Sequence, residues 1–242
     1  MKMKKLQNIL NQKYKLGNNN IHIFYIHQTE KLAEAVFEKF LFQLPQFFQQ
    51  EINAYKHWES AQASLLGKIL LSHAFKQLNI NYSLHDIQIG IKDRPYINDE
   101  IDFNISHSGK YIAVAIVENA RVGIDIETHR ELNVQLFRKY FDDNEWNEIQ
   151  TSGNSIKAFF EFWTIKESAI KCDGRGVEIL SKTHVVSSKQ NQLLSADMIK
   201  CDVTMFYYQQ IAIETNYSCC ICSNDDFKIN LTQLHLSVLV NA

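Results

Sequence analysis

Two long helical stretches most constrain what this chain can fold into. Glu59–Leu78 (ESAQASLLGKILLSHAFKQL) places Leu65, Ile69, Ala74 and Leu78 on roughly one stripe, the spacing of a helix with an apolar face. Ser155–Cys172 is a second long helix, stopped by Gly174 and Gly176. Short segments of strand character surround each helix. The chain has 242 residues, enough for a sizeable core. No Gly/Ser linker or low-complexity run divides it, and its only prolines are Pro45 and Pro95. The pattern predicts an α+β fold built from two similar halves. The KLGNNN loop at 15–20 marks off residues 1–20 as an N-terminal extension. Residues 21–119 form the expected N-terminal half and 120–242 the C-terminal half.

The remaining elements follow from alternation and turn chemistry. IHIFYIH (21–27) reads as a strand, Lys31–Phe48 has helical spacing, and Ile87–Ile91 reads as a short strand. Phe103–His107, Tyr111–Glu118 and Val122–Glu127 read as three successive strands, with turns at Gly109-Lys110 and Glu118–Arg121. A helix is expected over Glu131–Tyr140. Another begins at Asp142, where Asp142 and Glu145 form a capping-box pattern. The tail alternates like strands in THVVS, VTMFYY, IAIET, YSCCIC and LHLSVLV.

A net charge of −2 provides no global field for nucleic acid, so any anion site must come from local placement of basic residues. The longest apolar run, Ile112–Val117, is far short of the ~20 residues a membrane helix needs. MKMKKLQNIL is too short and interrupted for a signal peptide. These features predict a cytoplasmic monomer with no membrane or nucleic-acid partner. The five cysteines lack zinc-site spacing, and alternation in YSCCIC puts Cys220 and Cys222 on one strand face as small buried hydrophobes.

Within VGIDIE (122–127), alternation puts Asp125 and Glu127 on one face, ~6.6 Å apart along the strand. Two like charges at that distance either stand in solvent or share a cation. FWTIKESAIK (162–171) adds Trp163, Glu167 and Lys171 on about one helix face, with Lys166 beside them. An ordinary Glu-to-Lys helix pair is one reading of this stretch. A third carboxylate with two lysines is the other, and three carboxylates suit Mg²⁺, a hard cation that prefers oxygen. FNISHSGK (103–110) brings Ser106 and His107 to a strand end. As strand neighbours they point to opposite faces, so they are not a proton-sharing pair, but both can donate to phosphate. Arg94 in KDRPYIN can do the same.

FNISHSG, VGIDIE and WTIKESAIK, in this order, resemble the motifs of the Sfp-type 4′-phosphopantetheinyl transferases: an SHS-type stretch, a GxDxE strand and a WxxKExxxK helix. Here 42 residues separate Asp125 from Glu167. KDRPYIN is similar to the family's KP loop, with Arg94 in place of Lys. The resemblance implies two similar α+β halves related by a pseudo-twofold, with coenzyme A in the cleft between them. It implies transfer of the 4′-phosphopantetheine arm to a serine of an apo acyl or peptidyl carrier protein. The other product would be adenosine 3′,5′-bisphosphate. It places Asp125, Glu127 and Glu167 on Mg²⁺, and Lys166 and Lys171 near the pyrophosphate. Arg94, Ser106 and His107 would meet the phosphates of coenzyme A, and Glu167, Asp125 and Lys171 would be catalytic. The family often has a basic residue where this chain has Gln62 and Ala63, so the 3′-phosphate contact must differ, with Lys56 or Lys68 nearby. Leu136–Trp146 is a candidate carrier-docking patch, its aromatics equally suited to core. Two rival readings use the same residues. One is a Mg²⁺-dependent phosphohydrolase or nucleotidyl transferase. The other is a non-catalytic binder of coenzyme A or a carrier protein.

Overall fold

The computed structural model describes residues 19–186 and 196–240. The predicted extension 1–20 lies outside them except for Asn19 and Asn20, which already belong to the first strand. The order is β1 (Asn19–His27), α1 (Glu34–Leu41), α2 (Gln46–Asn53), α3 (Trp58–Gln77), β2 (Gln88–Ile89), β3 (Pro95–Tyr96), β4 (Ile101–Ser108), β5 (Tyr111–Glu118) and β6 (Val122–Thr128). After a 3₁₀ segment, Val134–Tyr140, come α4 (Asp143–Thr151), α5 (Ser155–Asp173), β7 (Thr183–Val186), β8 (Asp197–Cys201), β9 (Thr204–Gln210), β10 (Tyr217–Ser223), β11 (Phe227–Leu234) and α6 (Leu236–Val240).

The expected two α+β halves are present. One sheet runs β11-β1-β5-β4 and carries α3; the other runs β6-β10-β9-β8-β7 and carries α5. The apolar run Ile112–Val117 is a strand buried on both faces. Ile112, Val114 and Ile116 face the α3 core, while Ala113, Ala115 and Val117 pack with Val122, Ile124 and Ile126 of the second sheet. β1 pairs antiparallel with β5 and parallel with β11, so the end of the chain completes the first sheet.

The sheets meet along an unusual seam. β4 and β6 are each paired on one side only, β4 to β5 and β6 to β10. Across the gap, side chains of β4 replace a backbone ladder. Asp102, Asn104, Ser106 and Ser108 accept the N–H groups of Val122, Ile124, Ile126 and Thr128 at 2.8, 2.9, 3.3 and 3.1 Å. Alternation puts these four polar residues on one face of β4, and their acceptors satisfy an edge that would otherwise be buried without partners.

Several sequence expectations are corrected. The helical stretch Lys31–Phe48 divides into α1 and α2 at Pro45, whose φ of −51° and ψ of 147° start α2 afresh. Glu131–Tyr140 yields only the 3₁₀ segment. IAIET forms no strand, and LHLSVLV ends β11 at Leu234 and then turns into α6. Ser187 of THVVS lies outside the described residues. The Asp142–Glu145 capping box forms with both of its bonds. All five cysteines are buried thiols.

Candidate functional site

Gly123 decides where α5 can lie. A Cβ built there would stand 2.1 Å from the Ser168 carbonyl oxygen and 2.5 Å from the Cys172 amide. Gly123 therefore lets the helix rest on β6. Asp125 and Glu127 follow on that same face, opposite Glu167 and Lys171.

The buried carboxylate of Asp125 organises the site. Its Oδ1 accepts from Lys171 Nζ at 2.6 Å and from Ser106 Oγ at 3.1 Å. Lys171 Nζ also donates to Ser106 Oγ and to the Ile124 carbonyl, each at 3.2 Å. Burial raises the Asp125 pKa, and the Lys171 ammonium works against that shift. Glu127 accepts from Ser108 Oγ at 2.9 Å and from Arg130 at 2.8 Å. Glu167 is pushed up to about 7, first by burial and then by the charges of Asp125 and Glu127, with Lys171 opposing.

One atom bears on a metal. Asp125 Oδ2 is buried and has no hydrogen-bond partner. An orphaned buried carboxylate oxygen, close enough to Glu127 and Glu167 for their charges to interact, would suit a cation. The set is all oxygen and fits a hard divalent ion such as Mg²⁺. A tighter cluster, Asp142, Glu145 and His184, has ligand atoms within 4.8 Å of one another. The Glu145 carboxylate and one oxygen of Asp142 are already used, whereas His184 Nδ1 is buried without a hydrogen-bond partner and lies 3.6 Å from Asp142 Oδ2 and from Glu145 Oε2. Asp142 Oδ1 caps α4, Glu145 Oε1 accepts from Val185 N, and Glu145 Oε2 accepts from Asp142 N at 3.0 Å and Lys166 Nζ at 2.8 Å. A cation there would have to displace an ammonium, so this cluster fits a helix cap better than a metal site.

The structure brings Asp125, Glu127, Glu167, Lys171 and Ser106 together and leaves Lys166 out. Lys166 is 0% exposed, on a different face of α5, paired with Glu145 and donating to the Thr183 carbonyl. Lys166 and Lys171 are five residues apart on α5, about 140° around the helix, so the two lysines face different ways. Ser106 is buried and orients Asp125 instead of facing open space. Arg94 is likewise engaged with protein, binding Asp102, the Val122 carbonyl and the Lys171 carbonyl.

His107 points the other way from Ser106, into a cavity of about 520 Å³ lined also by Lys68, Ser64, Glu51, Phe48 and Phe103. Its pKa is lowered by burial against the cavity walls and by Lys171 and Lys68, with Glu127 and Glu51 opposing. The cavity lies on the face of β4 opposite Ser106, and none of Asp125, Glu127, Glu167 and Lys171 lines it. Lys68 Nζ lies 3.0 Å from Glu51 and 2.8 Å from Ser64 Oγ. In the proposed docking patch, Phe137 packs on Phe159 and Trp163, and Phe141 is buried, while Leu136 stays 72% exposed.

Two family models divide the chain between them. Residues 32–119 match the 4′-phosphopantetheinyl transferase N-terminal model, and residues 121–222 match the model of the 4′-phosphopantetheinyl transferase superfamily. The chain belongs to the 4′-phosphopantetheinyl transferase superfamily. The transferase is 28% identical over 227 residues to the 4′-phosphopantetheinyl transferase gsp of Aneurinibacillus migulanus, covering 91% of this chain and 94% of that protein. It is 24% identical to the 4′-phosphopantetheinyl transferase Sfp of Bacillus subtilis, covering 90% and 99%. It is 26% identical to the L-aminoadipate-semialdehyde dehydrogenase-phosphopantetheinyl transferase of Xenopus laevis, covering 53% of this chain and 49% of that protein.

Sequence reasoning missed several residues of the transferase site. Ser108 was within reach, because alternation puts it on the same face as Ser106. Asp102 and Asn104 continue that face and carried the same signal. Arg130 gives none that separates it from an ordinary surface arginine. No helix among the described residues is long and apolar enough to cross a membrane.

Proposed function

We propose that this transferase moves the 4′-phosphopantetheine arm of coenzyme A onto a serine hydroxyl of an apo acyl or peptidyl carrier protein, with Mg²⁺. The observation that carries the reading is the buried Asp125 carboxylate with its orphaned oxygen, set beside Glu127, Glu167 and Lys171, while His107, the neighbour of Ser106 on β4, lines a cavity together with Lys68. Asp125, Glu127 and Glu167 would hold the metal. Bound Mg²⁺ supplies charge stabilisation to the pyrophosphate as its bridging bond breaks.

The protein's own groups do the rest. The serine oxygen bonds to the β-phosphorus, and the bond from that phosphorus to adenosine 3′,5′-bisphosphate breaks, the leaving group keeping the electron pair. The serine proton goes to Glu167, directly or through a water. Lys171 offsets charge on the pyrophosphate. His107 and Lys68 meet coenzyme A phosphate in the cavity, with Lys68 standing in for the basic residue absent at Gln62 and Ala63. The Lys68 pKa is lowered by burial, opposed by Glu51, so an incoming phosphate would give this ammonium a second anionic partner.

Incubation with coenzyme A, Mg²⁺ and an apo carrier protein should add a phosphopantetheine mass to the carrier. No gain across peptide-synthetase, polyketide and fatty-acid carriers would sink the proposal. Release of the bisphosphate without any carrier would favour a hydrolase.

A further inference from the structure

We infer that Arg94 is a positioning residue that holds the three site-bearing elements in register. The inference rests on the transfer reading above for its kinetic consequence only. Arg94 sits on the loop before β3, where Lys92 and Asp93 turn the chain with φ of 57° and 58°. Its guanidinium reaches three elements at once. Nη2 donates to Asp102 Oδ2 of β4 at 2.7 Å and to the Val122 carbonyl of β6 at 3.0 Å, and Nη1 donates to the Lys171 carbonyl of α5. The Arg94 side chain is only 12% exposed.

Each of these contacts lies one step from a reacting group. β4 carries Ser106 and Ser108, β6 carries Asp125 and Glu127, and α5 carries Glu167 and Lys171. The Lys171 carbonyl is among the last four of its helix, which have no partner within the helix, and the negative end of the helix dipole favours a cation there. Gly174 caps α5 with φ of +87°, a conformation that suits glycine, and a Cβ there would stand 3.2 Å from Arg121 Nη2 and in ordinary contact, 3.5 Å, with Arg94 Cδ. Asp102 is also the first rung of the seam, with Arg94 and the Val122 N–H sharing its Oδ2. Further along the same seam, the Ser106 and Ser108 hydroxyls accept from β6 and donate to Asp125 and Glu127. Registry set at Asp102 is therefore passed to both carboxylates. A lysine cannot reproduce the planar fork that spans three acceptors.

The test uses the full chain, with Arg94→Gln, Arg94→Lys, Asp102→Asn and the Arg94→Gln/Asp102→Asn double variant. Amide hydrogen exchange needs no turnover. In Arg94→Gln, residues 170–174 and Val122, Ile124 and Ile126 should exchange about tenfold faster or more, with α3 unchanged. Unchanged exchange at those sites overturns the clamp, whatever the enzyme transfers. Where the wild type transfers, kcat should fall by about 10- to 100-fold in Arg94→Gln while KM for coenzyme A stays within about twofold. Arg94→Lys should recover part of that loss. The double variant should lose less than the sum of the two single losses, because the Arg94–Asp102 contact is common to both. A rise in KM with kcat retained would make Arg94 a phosphate ligand and overturn the proposal. Additive losses would also overturn it. A wild type that fails to transfer counts against the proposed function, and the exchange result then judges the clamp alone.

Discussion

The charge of Glu167 depends on its surroundings. Its pKa is raised to about 7 because ionising it buries a charge and sets it against Asp125 and Glu127. A carboxyl raised in this way stabilises the fold fully below its ordinary value of 4.5 and loses that contribution as pH rises through about 7. Asp125 is shifted in the same direction. His73, His107 and His129 are lowered, and their slope runs the other way. The contribution of Glu167 is therefore isolated by comparison with Glu167→Gln. In chelator-treated protein, wild type should lose up to roughly 3 kcal/mol relative to that variant between about pH 5 and pH 7.5. Urea melts at several pH values measure it, and a flat difference would show that Glu167 is not perturbed. Adding Mg²⁺ should shrink the difference, since a cation favours the ionised form. Asp125→Ala removes the orphaned oxygen along with a carboxylate that is unfavourable to bury. Its fold should persist by circular dichroism while transfer falls by about 100-fold or more. A variant that transfers normally would place the metal elsewhere.

The helix α5 and the strand β6 carry the proposed site residues, and their contact tolerates little change. Gly123→Ala would drive a methyl into the backbone of α5 at Ser168 and Cys172, where nothing flexible can yield. A loss of about 3 kcal/mol or more is expected in a urea melt, with transfer falling too because the carboxylates share this contact. Lys166 tests the opposite face of the helix. Lys166→Met leaves Glu145 ionised and buried, which should cost roughly 3–5 kcal/mol, yet KM for coenzyme A should not move in the folded fraction. A raised KM would return Lys166 to the phosphates. The sequence showed much of this site because strand alternation and helix spacing are local. Asp125, Glu127, Glu167 and Lys171 follow from period and distance along the chain. The direction of Lys166 depends on Glu145, a capping residue 21 positions earlier, and the partners of Arg94 come from three separate elements. Contacts of that kind leave no local pattern. The missed division at Pro45 is different, because the residue before a proline is biased out of the helical region and the signal was there to be read.

The two halves look separable along the chain but are interlocked in space. The family models divide at residue 120, between 119 and 121. Yet β11, from the end of the chain, is the parallel partner of β1 at its start. Parallel pairing of distant segments is invisible to a reading that works outward from local alternation, which is why the last strand of the first sheet was not anticipated. The shared layer adds to this. Ala113, Ala115 and Val117 pack with Val122, Ile124 and Ile126 of the second sheet, and the amides of Val122, Ile124, Ile126 and Thr128 donate to side chains of β4. A fragment of residues 1–120 would expose the inner face of β5, the free edge of β1 and four polar side chains stripped of their donors. Exposed apolar strand faces and unpaired edges lead to aggregation rather than to an independent fold. The fragment should therefore be unfolded or aggregated by circular dichroism and light scattering, and mixing it with residues 121–242 should restore a folded complex. The intact chain should correspondingly melt in one transition, with tryptophan fluorescence, which reports Trp58 in the first half and Trp146 and Trp163 in the second, tracking far-ultraviolet circular dichroism. Two separated transitions, or a stable monomeric 1–120 fragment, would show that the seam joins two independently folded units, and the positioning of Asp125 and Glu127 by β4 would then have to survive without cooperative packing.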